Sequence, residues 1–213
     1  MTSQDAKTIE GLKAELSRLR EMLSITEDNL RASQDEVLRL STIDSLTGVL
    51  NRRHFMDIAD QEISRARRYK RPLAVLIIGV DNIKAVNEVH GSEKGDTVLE
   101  AMGASALHTL RTTDFVGRTA GSEFTVMLPE TEHDGCMILA ERLVLELARV
   151  ASEALDNAAP LPTVSIGATH FVREDVIFDT VYQRADMTMD RARHNGGDRV
   201  LYMSAEEAEK LEA

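Results

Sequence analysis

Leu73-Ala74-Val75-Leu76-Ile77-Ile78-Gly79-Val80 is the longest apolar run in the chain, and its length and flanks decide the fold. The run has the length of a buried strand and falls far short of the roughly 20 apolar residues that cross a bilayer. Helical spacing precedes it over about 52–69. A short helix is predicted after it near 82–88, and Gly91 and Gly95 punctuate before another helix to about Leu110. Residues 115–118 and 124–128 read as the two strands of a hairpin that turns at Ala120-Gly121-Ser122-Glu123. A long helix over about 132–154, a strand at 163–169 and a helix near 178–194 follow. Gly196-Gly197 then leads into a last strand at 199–202. This alternation predicts an α/β layer domain, with helices packed on a central mixed sheet.

Composition bounds the function. The 213 residues suffice for one well-buried domain plus an appended element. A formal net charge of -11 argues against nucleic acid and anionic membrane as partners, because the long-range field repels both. Cys136 is the single cysteine, which rules out an intramolecular disulfide and suits a reducing compartment. The polar start, Met1-Thr2-Ser3-Gln4-Asp5-Ala6-Lys7, lacks a signal-peptide core, so a soluble cytoplasmic protein is expected. His54, His90, His108, His133, His170 and His194 show no metal-ligand spacing.

Residues 1–41 carry a heptad pattern. Ile9, Leu16, Leu23, Leu30 and Val37 recur every seven residues, and Leu12, Leu19, Thr26, Ser33 and Leu40 interleave three positions later. Glu15 and Arg20 fall at g and the next e, as in a parallel pair. A coiled-coil dimerisation helix is therefore expected over 1–41, a globular domain over 42–204, and an acidic tail over 205–213.

The globular part opens with Asp44-Ser45-Leu46-Thr47-Gly48-Val49-Leu50-Asn51-Arg52-Arg53. It continues through Asn87, Gly91, Gly95-Asp96 and Arg111-Thr112-Thr113-Asp114, and ends with Ser165-Ile166-Gly167, Ala185-Asp186 and a glycine-rich turn. In this order the motifs resemble the GGDEF family, the diguanylate cyclase domains of bacterial second-messenger signalling. That resemblance implies a nucleotidyl cyclase-like, palm-related fold. It also implies conversion of two GTP into cyclic di-GMP, with divalent metal held mainly by two carboxylates.

Two departures bear on that chemistry. Where the family places its first metal carboxylate, this chain has Gly79 in Gly79-Val80-Asp81-Asn82-Ile83-Lys84. The signature reads Ala120-Gly121-Ser122-Glu123-Phe124, so Ser122 replaces the second carboxylate. Magnesium requires hard anionic oxygens at about 2.1 Å, which glycine and a neutral hydroxyl do not supply. A catalytically inactive, non-enzymatic domain without a metal or other cofactor is therefore expected, with Mg²⁺ required only if residual cyclase activity exists. The resemblance still matches Asn87 and Asp96 to a guanine-reading pair, Lys84 to a phosphate contact, and Arg193 to a phosphate-binding lysine.

A second set of positions is retained. Arg111-Thr112-Thr113-Asp114 ends five residues before the signature, which is the spacing of the family's product-binding inhibitory site. The resemblance adds Arg142 as a third contact and Arg65 as a secondary one, reaching the ligand from another domain. Arg65, Arg67, Arg68, Lys70 and Arg71 form a basic cluster in an acidic chain. The expected partners are cyclic di-GMP, a second copy through the coiled coil, and an unidentified downstream protein. Residual synthesis of cyclic di-GMP from GTP, and a GTP-sensing or structural dimerisation module, are the alternatives.

Overall fold

The structure is a computed structural model that describes residues 15–16, 18–27, 30 and 42–212. The chain divides into two units, at 1–41 and 42–213. In the first, the described residues are helical, and Leu16, Leu19, Leu23 and Leu30 are exposed. Thr26 Oγ1 donates to Met22 O at 2.8 Å, so that hydroxyl bonds within its own helix. Heptad positions Ile9, Leu12, Ser33, Val37 and Leu40 lie outside the described residues.

The second unit runs β1 (Leu50–Asn51), α1 (Arg52–Tyr69), β2 (Leu73–Asp81), α2 (Ile83–His90), α3 (Ser92–Thr109), β3 (Phe115–Ala120) and β4 (Glu123–Pro129). Then come α4 (His133–Glu153), β5 (Thr163–His170), α5 (Phe178–His194), β6 (Arg199–Tyr202) and α6 (Ala205–Glu212). The sheet order is β1-β3-β4-β2-β5-β6. β2 lies between antiparallel β4 and β5, while the β1/β3 and β5/β6 pairs are parallel. The mixed sheet expected from the sequence is therefore present. The two-residue strand β1 was not foreseen, because so short a segment has no periodicity to read.

All nine residues of β2 are buried. Period-2 alternation divides its side chains between two cores. Ala74, Leu76, Ile78 and Val80 pack with Val86, Met102, Leu143 and Leu147 beneath α2, α3 and α4. Leu73, Val75 and Ile77 pack with Phe55, Ile63, Val181 and Met189 beneath α1 and α5. Full burial of a side chain such as Ile77 contributes about 1.5–3 kcal/mol relative to exposure. Helices on both faces explain why β2 reads as a continuous apolar run rather than an alternating one.

Two local devices position the functional residues. Asn51 caps α1, its side chain accepting from His54 N at 2.9 Å, and Phe55, Ala59, Ile63 and Ala66 form the buried stripe. Lys70 then ends the helix in the left-handed region at φ 52° and turns Arg71 and Pro72 into β2. On the other side, α5 approaches β5 closely at Gly167, where an added Cβ would come within 2.8 Å of Met189 Cα. That contact places the C-terminal turn of α5 over the end of β2.

Candidate functional site

One cavity of about 770 Å³ lies between the C-terminal half of α1 and the start of β3. Its lining includes Arg65, Tyr69, Arg71, Arg111, Thr113 and Phe115, with Glu62 and Glu130 as the acidic members. Arg65 and Arg111 thus meet on one domain. The turn at Lys70 brings the end of α1 beside the chain that enters β3.

The side chains there are differently committed. Arg65 Nη1 donates to Glu62 Oε1 at 3.4 Å, while its own side chain stays 65 % exposed. The Arg111 guanidinium makes no hydrogen bond or ion pair among the described residues. Its backbone is fixed instead: Arg111 N donates to Asp114 Oδ2 at 3.0 Å, and Asp114 N donates to Arg111 O at 3.0 Å. Asp114 therefore closes the turn that holds Arg111 at the cavity wall. Arg142 is not among the lining residues; its Nη2 donates to Thr109 O at 2.8 Å at the C-terminal end of α3.

Tyr69, 61 % exposed, and Arg71 also line the cavity, and neither is a candidate on sequence grounds. The sequence places Arg71 only within the basic cluster of 65–71. The position of Pro72, next to Leu73 at the start of the strand, is the one signal that could have pointed inward. Arg67 of the same cluster is occupied elsewhere, donating to Asp175 O and Val176 O and lying 5.7 Å from the Phe171 ring centroid.

The opposite end of β2 holds the other expected site. Gly79 pairs with Glu123 across β2/β4, and Val80 N donates to Ser122 O at 3.1 Å. Phe124 is buried. Gly121 and Ser122 form the hairpin turn between Ala120, which ends β3, and Glu123, which starts β4, and Gly121 O accepts from Arg118 Nε at 2.8 Å. A Cβ at position 79 would collide with Arg193 Nη2 and come within 2.6 Å of Met189 Sδ.

Asp81, 8 % exposed, has protein donors on both carboxylate oxygens. Its Oδ1 accepts from Arg193 Nε at 3.0 Å, and its Oδ2 accepts from Ser165 Oγ at 2.7 Å and Thr163 Oγ1 at 3.2 Å. Arg193 Nη1 also donates to Asp190 Oδ1 at 3.3 Å.

Burial pushes the Glu123 carboxyl above its ordinary range, and nearby Asp186 and Asp190 add to the shift against Arg193 and Arg52. Asp186 is raised for the same reasons, burial first and then Asp190. A carboxyl whose folded pKa is raised binds its proton more readily folded than unfolded. It therefore opposes stability at pH above that folded pKa, and the penalty fades as pH falls through it. Glu123→Gln is expected to melt higher than wild type at pH 7. The difference should vanish once the pH falls below the ordinary glutamate range, a pattern that thermal melts across pH would check.

A divalent metal held by carboxylates does not fit these residues. Position 79 has no side chain, Ser122 is neutral, and both Asp81 oxygens have protein donors. Among the described residues no group of three His, Cys, Asp or Glu could hold an ion. Asn87 and Asp96 stand exposed on α2 and α3, with Asn87 Cγ packed 2.9 Å from where a Gly95 Cβ would lie. Lys84 is exposed on the first turn of α2 and makes no ion pair among the described residues. Arg193 bonds to the carboxylates of Asp81 and Asp190. No described helix is long and apolar enough to cross a membrane.

Comparison with known proteins agrees with the fold. The family model for the diguanylate cyclase GGDEF domain matches residues 41–199. Diguanylate cyclase DgcM of Escherichia coli strain K12 is 32% identical over 182 residues, covering 84% of this chain and 43% of the relative. Diguanylate cyclase DosC of the same strain is also 32% identical, over 87% of this chain and 40% of its own length. The chain thus spans less than half the length of these relatives.

Among solved structures, the coiled coil and GGDEF domain of DgcB from Caulobacter crescentus, in complex with c-di-GMP, superposes with a TM-score of 0.70. It is 22% identical and covers 95% of this chain and 100% of its own. A microbial GGDEF domain solved for its interaction with cyclic di-GMP is 28% identical, with a TM-score of 0.63 over 76% of this chain and 99% of its own. The expectation of a non-enzyme is corrected: relatives 32% identical are themselves named diguanylate cyclases, which points to a family of enzymes.

Proposed function

The chain belongs to the GGDEF diguanylate cyclase family, and on that premise we propose that it binds cyclic di-GMP in the α1/β3 cavity and acts as a receptor for it. The observation that carries this reading is the meeting of Arg65 and Arg111 on one cavity of about 770 Å³. A cyclic dinucleotide with two guanines and two phosphates needs planar donors and flat apolar surface. A guanidinium forks onto guanine O6 and N7 or onto phosphate oxygens. Tyr69 and Phe115 supply ring faces for the bases. The volume lies within the range of small-molecule sites.

Asp114 acts first as the support of Arg111, through the bond to its backbone N–H. Arg142, held on Thr109 O, stands at the helix end two residues from Arg111. Support also comes from the relative, 28% identical, that was solved for its interaction with the same dinucleotide. Occupancy would pass to the heptads of 1–41, whose exposed Leu16, Leu23 and Leu30 suit pairing with a second copy and signalling to a downstream protein.

Isothermal titration tests this directly. Cyclic di-GMP should bind with micromolar or better affinity, whereas linear GMP should not compete. An absence of heat with the dinucleotide would reject the reading.

Synthesis of cyclic di-GMP from GTP is the second reading, and the relatives named diguanylate cyclases favour it. Incubation with GTP and Mg²⁺ or Mn²⁺, followed by chromatography of the products, decides it.

A further inference from the structure

The outer face of α4 carries a pattern that complements itself when reversed. Asp134, Ile138, Glu141, Arg142, Leu145 and Arg149 are all exposed, and helical spacing puts them in one stripe about 100° wide. Ile138 and Leu145 are 69% and 74% exposed, unusual for large aliphatic side chains in an otherwise well-buried helix. Counted outward from the midpoint between 141 and 142, each stripe residue has a counterpart at equal distance. Glu141 and Arg142 are innermost, Ile138 and Leu145 come next, and Asp134 and Arg149 are outermost. The inner and outer counterparts are opposite in charge, and the middle two are apolar. These side chains have capacity to spare. The carboxylates of Asp134 and Glu141 bond to no described residue. Arg142 uses Nη2 on Thr109 O and makes no ion pair among the described residues. Arg149 is shared by Glu146 and Glu153 at 2.6 Å each, yet its side chain stays 51% exposed.

We propose that α4 pairs antiparallel with α4 of a second copy of this chain, about a two-fold axis beside residues 141 and 142. Such a contact is isologous, so each residue meets its counterpart twice. Ile138 of either copy then packs on Leu145 of the other, Glu141 faces Arg142, and Asp134 faces Arg149. Parallel pairing would set each of the four charged residues against itself, and like charges in register are repelled. The four aliphatic side chains supply the apolar burial. The exposed ion pairs add little affinity and instead fix direction and register. An interface of one helix from each copy is small, so the association is weak by itself. None of the six residues lines the cyclic di-GMP cavity, and the pairing is tested without dinucleotide, so the two readings fail separately.

Disulfide trapping of the full chain tests this. Cys136 is the one native cysteine and is buried, so a thiol introduced on α4 is the reactive one. A disulfide needs Cα atoms within about 7 Å. Two copies of position 141 meet across the axis, whereas two copies of position 134 lie about 22 Å apart along the helices. Under copper phenanthroline, Glu141→Cys should form covalent dimers at least about tenfold faster than Asp134→Cys. Adding Leu145→Lys to Glu141→Cys should bring its rate down to that of Asp134→Cys. All three positions are exposed, and circular dichroism shows that the fold persists. Equal rates for the two single-cysteine variants would overturn the proposal, whether both are slow, as when another protein covers this face, or both fast, as in parallel pairing. A fast Glu141→Cys reaction that survives Leu145→Lys would overturn it too.

Discussion

Arg111→Ala is expected to weaken cyclic di-GMP binding by roughly ten- to 150-fold, equivalent to about 1.5–3 kcal/mol for a hydrogen-bonded charged group. Arg111 offers a guanidinium with no competing protein partner among the described residues, on a backbone fixed by Asp114. No intramolecular contact has to break before the ligand is engaged, so the full fork is available. Arg65→Ala should cost less, about tenfold or below. Its side chain is 65 % exposed and already shared with Glu62, so water screens it and the pair must loosen. Titration calorimetry on both variants, with circular dichroism to show that the fold persists, checks the ranking. Equal affinities for wild type and Arg111→Ala would remove Arg111 from the site.

Asp175→Ala is expected to lower the stability of the domain by about 3–5 kcal/mol, the cost of breaking a buried ion pair from one side. Asp175 and Arg184 have side chains only 3% and 6% exposed. Both Arg184 Nη atoms donate to the carboxylate, at 3.0 and 2.7 Å, and Nε donates to Thr169 Oγ1 at 2.8 Å. The same carboxylate accepts from Val172 N at 2.8 Å and so closes the turn from β5 towards α5. Truncating it strands a guanidinium in the core. That loss is a large share of the roughly 5–15 kcal/mol by which domains are stable. Urea denaturation should show it as a lowered midpoint. An Asp175→Ala midpoint within error of wild type would mean that the pair is not buried in solution.

These two variants also mark where the sequence could be read and where it could not. Elements with strong periodicity were legible: the apolar run that became β2, the stripe of Phe55, Ala59, Ile63 and Ala66, and the hairpin at Gly121. Motif spacing brought Arg111 and Asp114 forward, because a local turn joins them. Partners distant in sequence carry no such signal. Arg193 and Asp81 are 112 positions apart, and nothing in either segment announces the other. Sequence spacing therefore drew attention to Gly79 and Ser122 but not to the guanidinium that fills the space beside Gly79. The cavity was half legible for a related reason: Arg65 and Arg111 were named, yet the left-handed Lys70 that folds them together is visible only in the backbone.

The most direct measurement is a crystal structure of the chain grown with cyclic di-GMP. The dinucleotide should lie between α1 and β3, with the guanidinium groups of Arg65 and Arg111 both on its bases or phosphates. A dinucleotide bound elsewhere, with those two arginines touching only solvent, would contradict the account.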